Sequence, residues 1–189
     1  MRQRLRFAVV RADLISTCPP DWGTAIFAPS LPLSRIPFPS HPSHTATAST
    51  LVRNEPILLA SIHAPTQPSV FPRLQDIFQG LETMEYANRP VVGGDLNSCR
   101  HAELVWPKCG HEAFWHRIDK GDIWIDCCRM FHPDELQTFF RQGTINKFQD
   151  DHIFASRDFS ERVRSCDPLC NPDTRSMSDH IPLIAELDL

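Results

Sequence analysis

The sequence predicts an α/β sheet protein, and three observations carry that prediction. Ile57-Leu-Leu-Ala-Ser-Ile-His63 is apolar nearly throughout, as in a strand covered on both faces. Leu74, Ile77, Phe78, Leu81 and Met84 fall at i, i+3, i+4, i+7 and i+10 within the segment from Arg73 to Ala87, one stripe of a helix. Pro90-Val-Val-Gly-Gly then reads as a second short buried strand that breaks at paired glycines.

Composition bounds the rest. With 189 residues, 41% apolar, 22% charged, and 12 Phe and 4 Trp, the chain is expected to form a single domain over residues 1–189 with a sizeable core, not a disordered chain. No run approaches the roughly 18 to 20 apolar residues that a membrane-spanning helix needs, so no membrane span is expected. A net charge of −4 argues against a basic nucleic-acid coat, although a phosphate site can still hold a local cluster drawn from the arginines, which outnumber the three lysines. The basic start Met1-Arg-Gln-Arg-Leu-Arg6 resembles a signal n-region, but Arg11 and Asp13 interrupt the apolar stretch behind it, and a cytoplasmic location is expected. Seven cysteines without a CxxC pair suggest packed thiols, neither a zinc site nor a disulfide framework.

Along the chain, Trp22 to Ala28 is a short β-prone run beside a loop over residues 29–44, within a stretch where seven of the 17 prolines lie between Pro19 and Pro42. Thr45 to Val52 predicts a strand, Arg53-Asn-Glu-Pro56 a turn, and the run ending at His63 the second arm of an antiparallel hairpin. Residues 112–132 read as one or two irregular helices, and Asp151-His-Ile-Phe-Ala155 and Ile181 to Leu187 as strands. Cys166-x-x-x-Cys170 reads as a loop with two thiols. Trp106, Trp115 and Trp124 are expected to pack in the core or in loops, and His111, His116 and His132 to be surface or helix-packing residues.

Four polar clusters share one placement, just where an apolar run stops: His63, Asp95 with Asn97, Asp151, and Asp179 with His180. Taken singly, each has a plain structural explanation, because Asp and Asn close turns through their own backbones and a histidine often packs with a hydrogen-bond partner. Taken together, polar groups at several strand ends are how many active sites are assembled.

These clusters carry a resemblance to a known family. Ser61-Ile-His63-Ala-Pro65, Gly94-Asp-Leu-Asn-Ser98, Asp151-His-Ile-Phe154 and Ser178-Asp-His-Ile-Pro182 stand 32, 56 and 28 residues apart, counted between His63, Asp95, Asp151 and Asp179. In this order they resemble the signatures of the endonuclease/exonuclease/phosphatase superfamily with the deoxyribonuclease I-like fold. Trp22-Gly-Thr-Ala-Ile26 and Gln137-Thr-Phe139 resemble lesser landmarks of it. The resemblance runs from about Trp22 to the C-terminus and leaves residues 1–21 poorly matched.

It implies a two-sheet α/β sandwich with α-β-β-α layers that hydrolyses a phosphodiester, with nucleic acid among the candidate substrates, using Mg²⁺ or Mn²⁺. Carried over residue by residue, it implies that His180 contacts the scissile phosphate and Asp151 fixes its tautomer. Asp179 faces the metal, and Asp95 orients the attacking water and touches the cation. Asn97 donates to a phosphate oxygen, and His63 is the second phosphate-contacting histidine. Asp150 is the alternative to Asp151, but only Asp151 keeps the Asp-x-Ile-Phe spacing. Arg175 is a further candidate phosphate contact, three residues before Ser178.

One departure is marked. The family places a metal-binding glutamate, and before it an asparagine, upstream of the landmark that Trp22 resembles. Here the residues before Trp22 contain neither, and the first glutamate is Glu55 in the hairpin turn. The chain is therefore expected to be N-terminally truncated, to lack the opening strand and helix, to leave an apolar sheet edge, and to bind Mg²⁺ weakly. The alternative function is a family member with little or no turnover that retains phosphate or protein binding.

Overall fold

In a computed structural model, residues 4–8, 24–27, 31–38, 44–65, 70–84, 89–101, 110–140 and 148–188 are described. Two sheets carry the fold. The larger has six strands in the order β2 (Ser34–Arg35), β3 (Thr45–Val52), β4 (Glu55–His63), β5 (Pro90–Asp95), β7 (Asp151–Ser156), β6 (Trp124–Asp126). The smaller has β1 (Arg4–Ala8), β9 (Leu183–Asp188) and β8 (Val163–Pro168), with β9 in the middle.

The predicted hairpin forms over its whole length. Thr45 stands opposite Ile62, and Val52 opposite Glu55, with Arg53 and Asn54 at φ 50° and 67°, the left-handed pair that a two-residue hairpin turn requires. The apolar run of β4 is covered on both faces, and alternation divides it between two cores. Leu58, Ala60 and Ile62 meet α1 (Val70–Thr83) and α2 (His111–Lys120) in one core. Ile57 and Leu59 meet Val163, Leu183, Ala185 and Leu187 of the smaller sheet in the other. The molecule is thus a two-sheet sandwich with helices on the outer face of the larger sheet. At the centre of the helix-side core the Phe78 ring meets Phe114, Trp124 and Phe154 edge to face, with centroids 5.2, 5.2 and 5.3 Å away.

Several sequence readings are corrected. Thr24 to Phe27 form no strand: they have no ladder partner among the described residues, Phe27 is exposed, and the Thr24 hydroxyl lies against that of Ser61 in β4. The helix begins at Val70 and ends at Thr83, earlier than its stripe suggests, because Pro72 is tolerated in the first turn, where its missing N–H is not needed. Residues 112–132 hold one helix. It ends at Lys120, and the chain then turns into β6, where Trp124 and Ile125 are buried on opposite faces. Cys166 lies inside β8, and Ser34–Arg35 makes a short edge strand within the proline-rich stretch.

The start of the chain supplies β1, which the basic pattern concealed. It pairs antiparallel with β9 from Arg4 opposite Asp188 to Ala8 opposite Ile184, so β9 has a partner on both sides. Trp22, Trp106, Cys18, Cys109 and most of the residues 1–21 fall outside the described residues. Trp115 and Trp124 are core residues as expected.

Candidate active site

Register brings the candidate residues together. β4 and β5 are parallel with His63 beside Asp95, and β5 and β7 are antiparallel with Asp95 beside Asp151. Three adjacent strands therefore end in one row of His, Asp and Asp. Such a row needs close strand approach, and Gly94 permits it. A Cβ at this position would lie 1.8 Å from the Ile62 carbonyl oxygen, and its φ of +151° is one that L side chains rarely adopt.

His180 reaches this row from the turn before β9, and a strap formed by Thr138, Phe139 and Phe140 fixes its approach. The Thr138 hydroxyl accepts from the backbone N–H groups of Asp150 and Asp151, both at 3.1 Å, while its carbonyl accepts from Ile181 N–H at 2.7 Å. Phe140 N–H donates to the Asp179 carbonyl at 2.7 Å, and the Phe139 ring lies 4.9 Å from the His180 ring. One buried threonine thus holds the backbone on both sides of the Asp151–His180 pair.

Within this frame, His180 Nδ1 lies 2.9 Å from Asp151 Oδ2. A carboxylate only accepts, so Nδ1 carries the proton and Nε2 is left facing the cleft. That Nε2 is 4.0 Å from Asp95 Oδ2, and His63 Nε2 is 3.5 Å from the same oxygen. Two imidazoles therefore converge on one carboxylate oxygen. The other oxygen of Asp95 accepts the Asn97 backbone N–H at 2.8 Å, with Asn97 held at φ +47°. Asn97 Nδ2 donates to the Ala64 carbonyl at 2.6 Å, which occupies one of its two amide hydrogens. Asp150 makes no comparable contact with His180, so Asp151 is the partner.

The electrostatics follow from burial. Desolvation and the neighbouring Asp151 charge, partly offset by His180, push the Asp95 carboxyl up to about 7. Asp150 is pushed up to about 6, again by burial first and Asp151 second. Burial alone would lower His180, but its bond to Asp151 and the charges of Asp151, Asp95 and Asp179 outweigh that and raise it to about 9. Near neutral pH the cleft therefore holds a half-ionised carboxyl beside an imidazolium.

Asp179 is exposed, and Arg175 stacks its guanidinium over the Phe140 ring at 4.3 Å from α3 (Pro172–Met177). The donor set does not fit a complete Mg²⁺ site: among the described residues no group of three or more His, Cys, Asp or Glu side chains could hold a metal ion. Asp95 has one oxygen engaged by Asn97 and the other flanked by two imidazoles. Glu55 is committed elsewhere, to Arg89 and to Arg162 at 3.2 Å.

Beneath the turn that carries Asn97 lies a polar network that sequence reasoning missed. Ser98 binds the His111 ring and accepts the Trp115 indole N–H at 3.1 Å. His152, fully buried, donates through Nε2 to the Gln149 carbonyl at 2.6 Å, with the Ser98 carbonyl 3.1 Å away. Arg100 lies over the Trp115 ring at 4.4 Å and donates to Asp119 at 2.7 Å and Asp126 at 2.9 Å. These partners lie 13 or more residues apart in sequence for every contact but the local His152–Gln149 one, so no local motif announces them.

No family model matches the sequence, and no curated protein matches it. Solved structures do. An AP endonuclease from Archaeoglobus fulgidus superposes with a TM-score of 0.58 at 18% identity, covering 85% of this chain and 71% of that one. The endonuclease domain of TRAS1, a telomere-specific non-LTR retrotransposon, superposes with a TM-score of 0.65 at 17% identity, covering 100% and 82%. The 3′ phosphatase NExo from Neisseria, bound to a product DNA hairpin, superposes with a TM-score of 0.57 at 17% identity, covering 85% and 71%. This likeness shows the fold: the chain is a two-sheet α/β sandwich of the deoxyribonuclease I-like kind that these structures share.

Proposed function

We propose that this chain hydrolyses phosphodiesters, with nucleic acid as the substrate class, at the cleft formed by His63, Asp95, Asn97, Asp151 and His180. The observation that carries this reading is the convergence of His63 and His180 on one oxygen of Asp95, with His180 held by Asp151. The AP endonuclease, the TRAS1 endonuclease domain and the DNA-bound NExo that share the fold support a nuclease-like substrate.

In this reading a phosphate sits against the two Nε2 atoms, whose N–H groups neutralise charge gathering on its oxygens. Asp95, half ionised near neutral pH, accepts a proton from the attacking water. The water oxygen bonds to phosphorus as the ester oxygen leaves with the bonding pair. Asp151 keeps the His180 ring oriented throughout. Asn97 offers its second amide hydrogen to the phosphate, and Arg175 supplies an outlying positive charge. Asp179 and Asp95 are the carboxylates that Mg²⁺ or Mn²⁺ would meet here, an incomplete donor set that would hold the cation weakly, and we place the protein in the cytoplasm.

A second reading, phosphate or protein binding with little turnover, is favoured by the incomplete set of metal donors among the described residues. Hydrolysis of bis-p-nitrophenyl phosphate and plasmid DNA, with Mg²⁺, Mn²⁺ and EDTA compared, separates the two. Cleavage supports the first reading. Saturable phosphate binding without cleavage under any cation supports the second.

A further inference from the structure

Two of the cysteines that the hydrolytic site does not use lie against each other in the core between the sheets. Cys128 follows β6 of the larger sheet and Cys166 lies in β8 of the smaller one. Both are fully buried, and their sulfurs are 2.9 Å apart although 38 residues separate them. A disulfide needs about 2.05 Å between sulfurs, so closure asks for a movement of less than about 1 Å. The backbone next to Cys128 is also fixed, since its N–H donates to Asp126 Oδ1 at 3.1 Å. Proximity on rigid elements at long sequence separation is the arrangement in which a cross-link removes the most freedom from the unfolded chain.

We propose that Cys128 and Cys166 are a disulfide-forming site that staples the two sheets together under oxidising conditions. The oxidant is a peroxide, small enough to enter on a local opening of the core. One thiol attacks the peroxide oxygen, giving a sulfenic acid and water. The second sulfur then displaces hydroxide from the first, leaving with a proton as a second water, so two thiols and one peroxide give one disulfide and two waters. A low-molecular-weight thiol reverses it by exchange. The exposed Cys170 and the buried Cys127 and Cys99 are not part of the pair. This inference is independent of the hydrolytic reading.

The test treats the native chain with hydrogen peroxide, blocks remaining thiols under denaturing conditions, and maps cross-linked peptides by mass spectrometry without reduction. Trypsin leaves Cys127 with Cys128, and Cys166 with Cys170, so the assignment uses Cys127→Ser and Cys170→Ser, which must keep the cross-link, and Cys128→Ser, which must lose it. If Cys128→Ser does not fold, Cys166→Ala takes its place. The cross-linked chain is expected to melt at least about 5 °C higher than the reduced one, reversibly with dithiothreitol. A cross-link that fails to form, that maps to Cys127 or Cys170, or that leaves the melting temperature unchanged overturns the proposal.

Discussion

His180 and Asp151 lie 29 residues apart in sequence and are joined by a hydrogen bond of 2.9 Å between Nδ1 and Oδ2. This bond directs the opposite ring nitrogen at Asp95 and raises the proton affinity of the ring. His180→Ala is expected to lower phosphodiester hydrolysis by at least about a hundredfold while leaving the fold intact, since the ring is at the cleft and not in either core. Asp151→Asn, which keeps the shape but lets the wrong tautomer form, is expected to lower kcat by at least about a hundredfold with little change in KM. Steady-state kinetics with circular dichroism as the folding control checks both.

Asp95→Asn keeps the acceptor for the Asn97 N–H and so the turn, but removes the carboxylate proposed above to take the proton from water. Its kcat is expected to fall about a hundredfold or more. A variant that hydrolyses at the parental rate would show that the proton goes elsewhere.

Gly94→Ala is expected to destabilise the chain by more than about 4 kcal/mol, because its Cβ would collide with the Ile62 backbone at a φ that L side chains rarely adopt. Urea denaturation measures it. The effect reaches the site, since the displaced strand is the one that carries Asp95.

Arg100→Met is expected to cost about 3 to 5 kcal/mol by leaving the buried Asp126 without its guanidinium. Burial would push the Asp126 carboxyl up, but His152 and Arg100 outweigh it and hold it below its ordinary range. A carboxyl lowered in the folded state contributes stability that is present above the unfolded value and lost as pH falls through the folded one. The parent is therefore expected to lose stability as pH drops below about 4, and Asp126→Asn to flatten that part of the curve, as read by urea midpoints across pH.

Much of the fold was legible because local pattern and final environment agreed. The continuous apolar run of β4 announced two covered faces, and the Leu74 to Met84 stripe announced α1. The grouping of the candidate site was legible because its residues flank apolar runs, His63 and Asp95 at the ends of β4 and β5 and Asp151 at the start of β7, and register then places those three side by side. What could not be read was long-range or patternless. β1 hides in a basic segment and becomes a strand only through pairing with β9. β6 is three residues long, too short for periodicity. Arg100 and His152 find partners by tertiary proximity, and the Thr138 hydroxyl takes on its role only when the turn before β9 is brought beside β7.

The measurement that bears most directly on the account compares plasmid DNA cleavage by the parent chain and by His180→Ala at equal concentration, with Mg²⁺, with Mn²⁺ and with EDTA. The parent is expected to cleave slowly and in a cation-dependent way, and the variant at least about a hundredfold more slowly still. Equal cleavage by both chains, or none by the parent under any cation, contradicts this expectation.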